Sequence, residues 1–389
     1  MQIKPQPVRT INAAVEYARR VWREHPERDG LKAWQAALNG QRRPYPALTI
    51  LHLVTPDDQD QPADEFMLPH VEMPATTSAG QLAREIIALL NPLKMLNPLD
   101  MSFGLGKGTG TMVPSFDIPL NPEIGDTPTH TLTLDDALAR PAPHPATSGL
   151  MPAMRERILL IKKLIPAGSG FHIQLPDMQG PFNLAHAILG EDALTAPYLQ
   201  PDEFRNFMER VTTFWIAARK TLLSWIEPEW TSPKDTAVTC IAECSVNLVS
   251  PELYREHILP HDLKIARTFG ALHIHPCSGP HVFHVTLDEL PAVVLTEAGW
   301  IAKTAAGAIT VDKALAAIGD RPIMLLIGQE LPVGREEEFI RADLDRYVRN
   351  PRLMFSYTGM HWRIKDRPLI RDMHRRLDAY WMELSQKII

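Results

Sequence analysis

The chain has 389 residues, 45% hydrophobic and 22% charged, with a formal net charge of -6 and a pI near 6.2. That length exceeds an ordinary domain and suits an α/β barrel with insertions. With no long basic run, nothing in the charge supports nucleic-acid or anionic-membrane binding, and no apolar run reaches the ~18 residues of a membrane span.

Residues 1–45 read as an added helical segment, with neither the apolar stretch nor the cleavage site of a secretory leader. The expectation is a soluble, cytoplasmic protein. From there, short β-type apolar runs alternate with amphipathic stretches. Strands are predicted at 48–54, 111–116, 170–175, 237–243, 271–275, 292–296, 323–327 and 353–357. Helices are predicted at 81–90, 154–164, 201–226, 251–269, 311–318, 335–348 and 368–386. Two stretches rich in Pro, Asp and Thr, 55–76 and 117–148, read as long loops. The clearest helix start is Ser250-Pro251-Glu252, a capping hydroxyl ahead of Pro and an acid, and Gly270 is the matching stop. This series of β-then-α units predicts one (β/α)8 TIM barrel with an N-terminal helical extension and long βα loops. An open doubly wound sheet would share the alternation.

In such a barrel the strand C-termini carry the site. The strongest local signal is ALHIHPCSG at 271–279, where an apolar strand runs into a turn. His275 and Cys277, two apart, can both face the strand end, and imidazole with thiolate suits tetrahedral zinc. Spacing alone favours a core-facing histidine and an inert buried cysteine, and two ligands do not make a site. Further donors within the sequence are Glu243, His361, Cys244 and His273. Asp177 and Gln179 precede the Gly180-Pro181 turn, as proton-transfer and substrate-binding candidates or as turn-capping residues. Glu243 ends an apolar strand, where a carboxylate is prone to a raised pKa, a metal partner or an ion pair. Gln329 and Tyr357, at the ends of the last two strands, are further substrate-binding candidates. The glycine-rich run 104–111 lacks the P-loop spacing and reads as a loop. His257 and His261, four apart on a helix, lack the Glu of an HExxH motif and read as a packed or solvated face. Three cysteines, Cys240, Cys244 and Cys277, are too few for a disulfide scaffold and fit a reducing compartment.

Four segments together resemble the uroporphyrinogen decarboxylase-like superfamily: 32–46, the Gly-Pro turn and helix at 178–190, the segment 249–279 with its His-x-Cys turn, and the strand 322–328. The likeness covers nearly the whole chain in element order, and it is nearer the corrinoid-dependent zinc methyltransferases than the decarboxylase, whose Arg-rich N-terminal motif is missing. It implies a (β/α)8 barrel, a homodimer, and zinc on His275 and Cys277. The reaction it implies moves a methyl group between a partner's corrinoid and a small thiol, methoxyl or methylamine compound. In that branch a further cysteine follows strand eight. Here the sequence there is FSYTGMHW, so Glu243 or His361 would complete the site, with Asp177 or Glu243 handling the proton. Two other functions fit the same residues: a metal-independent decarboxylase or lyase using Asp177, and a non-catalytic corrinoid- or tetrapyrrole-binding module with His275 as axial ligand.

Overall fold

The computed structural model describes residues 6–24, 48–52, 69–90, 101–276 apart from 107, 124 and 126, 286–298, 310–330, 334–359 apart from 348, 351 and 352, and scattered positions between 372 and 387. At 48–52, 298, 327–330 and 354–359 it describes the backbone alone. The fold is mixed α/β with parallel sheets. Helix α1 (Ile11–Glu24) is followed by β1 (Leu48–His52), α2 (Ser78–Leu89) and β2 (Ser102–Gly104). Helices α3 (Leu134–Ala139) and α4 (Met151–Leu164) precede β3 (His172–Gln174). Then come α5 (Pro181–Leu189), α6 (Asp192–Leu199), α7 (Pro201–Ile226), α8 (Pro233–Ala237) and β4 (Thr239–Ala242). A helical stretch follows as α9 (Pro251–Leu253), a π turn (Tyr254–Ile258) and α10 (Leu259–Phe269). Last come β5 (Leu272–His275), β6 (Val293–Ala298), α11 (Val311–Ile318), β7 (Met324–Glu330), α12 (Glu336–Tyr347) and β8 (Leu353–Gly359).

Six strands form one sheet in the order β1-β8-β7-β6-β5-β4, and β2 pairs with β3 in a second, every pairing being parallel. Parallel neighbours need a crossover, and the intervening helices supply it. Two contacts link the sheets: Ile173 of β3 bridges Thr231, ahead of α8, and the N–H of Gly180, after β3, donates to the Ala242 carbonyl of β4 at 2.7 Å. Ile241, Leu272 and Ile274 are buried in one apolar cluster with Phe182, Phe204, Phe207 and Trp215 of α5 and α7. Burial of that face, at about 25 cal/mol per Å² of apolar surface, is what fixes the helices on the sheet.

Two expectations are corrected. The segment 111–116 is not a strand: 3₁₀ turns occupy Gly108–Gly110 and Val113–Phe116, and the second strand is Ser102–Gly104. Pro114 has no N–H for a ladder, and Asp117 closes the turn in the left-handed region at φ 60°. The stretch 117–148 is also not wholly loop, because Thr133 caps a short helix by accepting from the Asp136 N–H at 3.1 Å. The α9–α10 stretch occupies the predicted 251–269 but carries a π turn just before Pro260, whose ring nitrogen cannot donate to the previous turn.

Candidate functional site

The C-terminal end of β5 is built from its neighbours inward. Ala242 of β4 is in register with His275, and the Glu243 N–H donates to the His275 carbonyl at 2.9 Å. On the other side, Ile274 is in register with Thr296 of β6, which brings Glu297 level with His275. The Glu297 carboxylate lies between two imidazoles. Its Oε1 pairs with His273 Nε2 at 2.7 Å, and its Oε2 pairs with His275 Nδ1 in a closer contact. His273 and Glu297 are buried, whereas the His275 side chain is one-fifth exposed. Burial alone would raise the Glu297 pKa, but His275 and His273 hold it well below the usual carboxylate range. Burial alone would lower the His273 pKa, but Cys240, its register partner on β4, and Glu297 push it up to about 9. The site is therefore an anion holding two histidines at a strand end, one buried and one reachable from solvent.

Glu297 lies just beyond the predicted strand 292–296, whereas β6 runs on to Ala298. The available signal was an acid closing an apolar strand, VVLTEA, the same signal that singled out Glu243.

Glu243 does something different. It has no exposed surface, and its two carboxylate oxygens accept from Phe182 N at 3.1 Å and Asn183 N at 3.0 Å. Helix α5 begins with Gly180, which has no side chain to act as cap, and Pro181, which has no N–H. The next two amides, with no partner inside their own helix, are satisfied by Glu243 from the neighbouring strand. Burial raises the Glu243 pKa well above its ordinary value, and Asp262 raises it further. Asp262 is itself pushed up to about 7 by burial, while Tyr254 Oη donates to its Oδ2 at 2.8 Å. The Asp262 charge thus adds to burial in favouring the protonated form of the Glu243 carboxyl.

Asp177 is exposed, and its Oδ1 accepts from the Gln179 N–H at 3.0 Å, closing an Asx turn. Gln179 is buried in the left-handed region (φ 57°), and its Oε1 accepts from Asn183 Nδ2 at 2.6 Å. Trp215 Nε1 donates to the Met178 and Gln179 carbonyls. Asp177 and Gln179 thus shape the turn that presents α5 to Glu243. Gln329 and Tyr357 are register partners on β7 and β8, and their side chains lie outside the described residues, as do Cys277 and His361. His257 and His261 are buried under the helices, His261 Nδ1 sharing a hydrogen bond with Thr212 Oγ1 at 2.9 Å.

The 3₁₀ turn Cys244–Leu248 lies across the end of β5. Asn183 Oδ1 accepts from Ser245 N at 2.6 Å, and Ser245 Oγ pairs with His186 at 2.8 Å. Asn247 Nδ2 donates to the Pro276 carbonyl at 2.8 Å. Cys240 is a free thiol, but Cys244 is disulfide-bonded, where the sequence reading expects reduced cysteines throughout. Among the described residues no set of three or more His, Cys, Asp or Glu side chains is grouped as for a metal ion, and no helix is long and apolar enough to cross a membrane. A scan against protein-family models finds no match to this chain, and no curated protein matches it.

Proposed function

We propose that the chain is a (β/α)8-barrel methyltransferase of the uroporphyrinogen decarboxylase-like superfamily, acting with zinc at the C-terminal end of β5. The observation that carries this reading is His275 held through Nδ1 by the buried Glu297. A carboxylate on one ring nitrogen fixes the orientation and basicity of a metal-binding histidine. His275 and Cys277 offer the nitrogen and sulfur that suit zinc, with Glu297 orienting the imidazole instead of binding the ion. Glu243 is not a ligand, because its oxygens are committed to the amides of α5, and His361 is the remaining candidate donor. The strand order β1-β8-β7-β6-β5-β4, with the turn after β3 bonded to β4 through Gly180 and Ala242, supports the barrel.

Zinc supplies a lowered thiol pKa, so that an acceptor thiol is a thiolate at neutral pH. The chain holds the ion and orients the acceptor at the strand end, while a separate corrinoid protein carries the methyl group. Asp177, exposed beside α5, is the carboxylate available for a proton on a methoxyl or methylamine substrate. Glu243 and Gln179 hold the turn instead of reacting. A cytoplasmic homodimer accords with the resemblance.

Metal analysis tests this. Purified under reducing conditions, the chain should carry about one zinc. His275→Ala should lose it, and Glu297→Gln should weaken zinc binding by roughly tenfold or more. Methylcobalamin with a small thiol should then give a visible-spectrum change that follows zinc content. A metal-free chain showing full methyl transfer sinks the proposal.

A further inference from the structure

Behind His275, a sulfur and a ring nitrogen meet on the sheet face turned away from the helices. Ile241, Leu272 and Ile274 are packed into the apolar cluster with α5 and α7, so strand alternation turns Cys240 and His273 to the opposite face. These two are register partners on β4 and β5, about one strand spacing, roughly 5 Å, apart. Glu297 reaches the same face through a bulge. Leu272 pairs with Val293, but His273 pairs with Leu295, so β6 carries an extra residue at that step. Val293 belongs to the helix-side cluster, and unbroken alternation would place Glu297 there with it. The extra residue re-aims Glu297 at the histidines.

His273 is buried, and its Nε2 pairs with Glu297 Oε1 at 2.7 Å. Its Nδ1 is also buried and has no hydrogen-bond partner. A buried ring nitrogen left in that state is costly, so it calls for an occupant. On the β4 side stands Cys240, a free and half-buried thiol close enough to raise the pKa of the ring. A metal-binding histidine donates its other ring N–H to a carboxylate. The pairing of Nε2 with Glu297 is that arrangement, and it leaves Nδ1 as the ligand atom. Glu297 is already committed to two imidazoles. Among the described residues no third His, Cys, Asp or Glu joins the pair as for a metal ion. Two donors, one of them a thiolate, suit a soft monovalent ion and not four-coordinate zinc.

We propose that Cys240 Sγ and His273 Nδ1 together bind a Cu(I) ion, with Glu297 holding the far side of the imidazole. As the ion enters, the thiol proton leaves to solvent, and nothing is oxidised or reduced. This site does not depend on the zinc reading. Glu297 orients His275 as well as His273, so the two positions share a carboxylate but no ligand.

The test uses the full chain, stripped of metals with a chelator and titrated without oxygen with Cu(I) as its coloured bicinchoninate complex. Ascorbate keeps the copper monovalent and leaves disulfides intact. The chain should withdraw about one copper from the complex. Cys240→Ser and His273→Leu should each weaken binding by roughly tenfold or more. His275→Ala, the variant that tests zinc, should keep its copper. The X-ray absorption spectrum of the loaded wild-type chain needs no variant, and it should show a single sulfur and a nitrogen on copper. Failure of the wild-type chain to take copper from bicinchoninate overturns the proposal, as does unchanged affinity in Cys240→Ser or a copper bound by two sulfurs. Copper lost with His275→Ala would place the ion at the strand end and overturn it equally.

Discussion

Gly180 is a glycine because a carboxylate occupies the space a side chain would fill. A Cβ there would lie 2.1 Å from Glu243 Oε1 and 2.2 Å from its Cδ. Glu243 cannot give way without abandoning the Phe182 and Asn183 amides. Gly180→Ala should therefore cost on the order of 3 kcal/mol, through overpacking and lost capping together, read as a shift in the urea midpoint. A change below about 0.5 kcal/mol, the ordinary surface value, would mean that the carboxylate is not held there. Sequence reasoning located Glu243 by its position after an apolar strand and identified the setting that raises its pKa. Its capping role is not legible there, because the partners are some 60 residues away and only the fold makes them adjacent. Glu297 shows the converse. Its carboxylate pairs with His275, yet the predicted strand stops at Thr296, two residues before the observed end at Ala298.

At the scale of elements, local chemistry was legible wherever it decided the outcome. Helix α7 spans the predicted 201–226, begun by Pro201 with Asp202 and Glu203 in its first turn. Ser250 accepts from the Leu253 N–H at 3.2 Å, as the Ser-Pro-Glu signal implied. Ser250→Ala should cost about 1 kcal/mol in chemical denaturation, and no measurable loss would show the helix start to be held by packing instead. The π turn at Tyr254–Ile258 was not legible from periodicity. It sets the phase of the helix so that Tyr254 reaches Asp262 across two turns. The second strand was misplaced because 111–116 has β-type residues, yet Pro114 denies it a ladder.

For the whole molecule, two buried groups give opposing pH dependences. Burial lowers the His261 pKa from an ordinary 6.5 to about 4. The unfolded chain therefore holds the extra proton between those values, and this contribution, full above 6.5, is lost as pH falls toward 4. Asp262 is raised from 3.8 to about 7, so its contribution is full below 3.8 and lost as pH rises through 7. Their slopes oppose each other between pH 4 and 6.5. Relative to wild type, Asp262→Asn should lose stability toward acid, by up to roughly 3 kcal/mol at pH 4. His261→Gln should shift the other way, relatively more stable at pH 4 than at pH 7. Urea midpoints across that range check both, and parallel curves for the three chains would refute the assignment. The sequence by itself determined the alternation of strand and helix, the capped helix starts and the strand end at His275, because those follow from periodicity and from residues close in the chain. Only the tertiary structure decided that Glu297 holds His273 and His275, that Glu243 caps a helix beside Asp262, and that the turn after β4 is bonded to the end of β5. Each of those depends on parallel register, which aligns residues from separate strands, and on burial, which makes an unpaired charge too costly to leave alone.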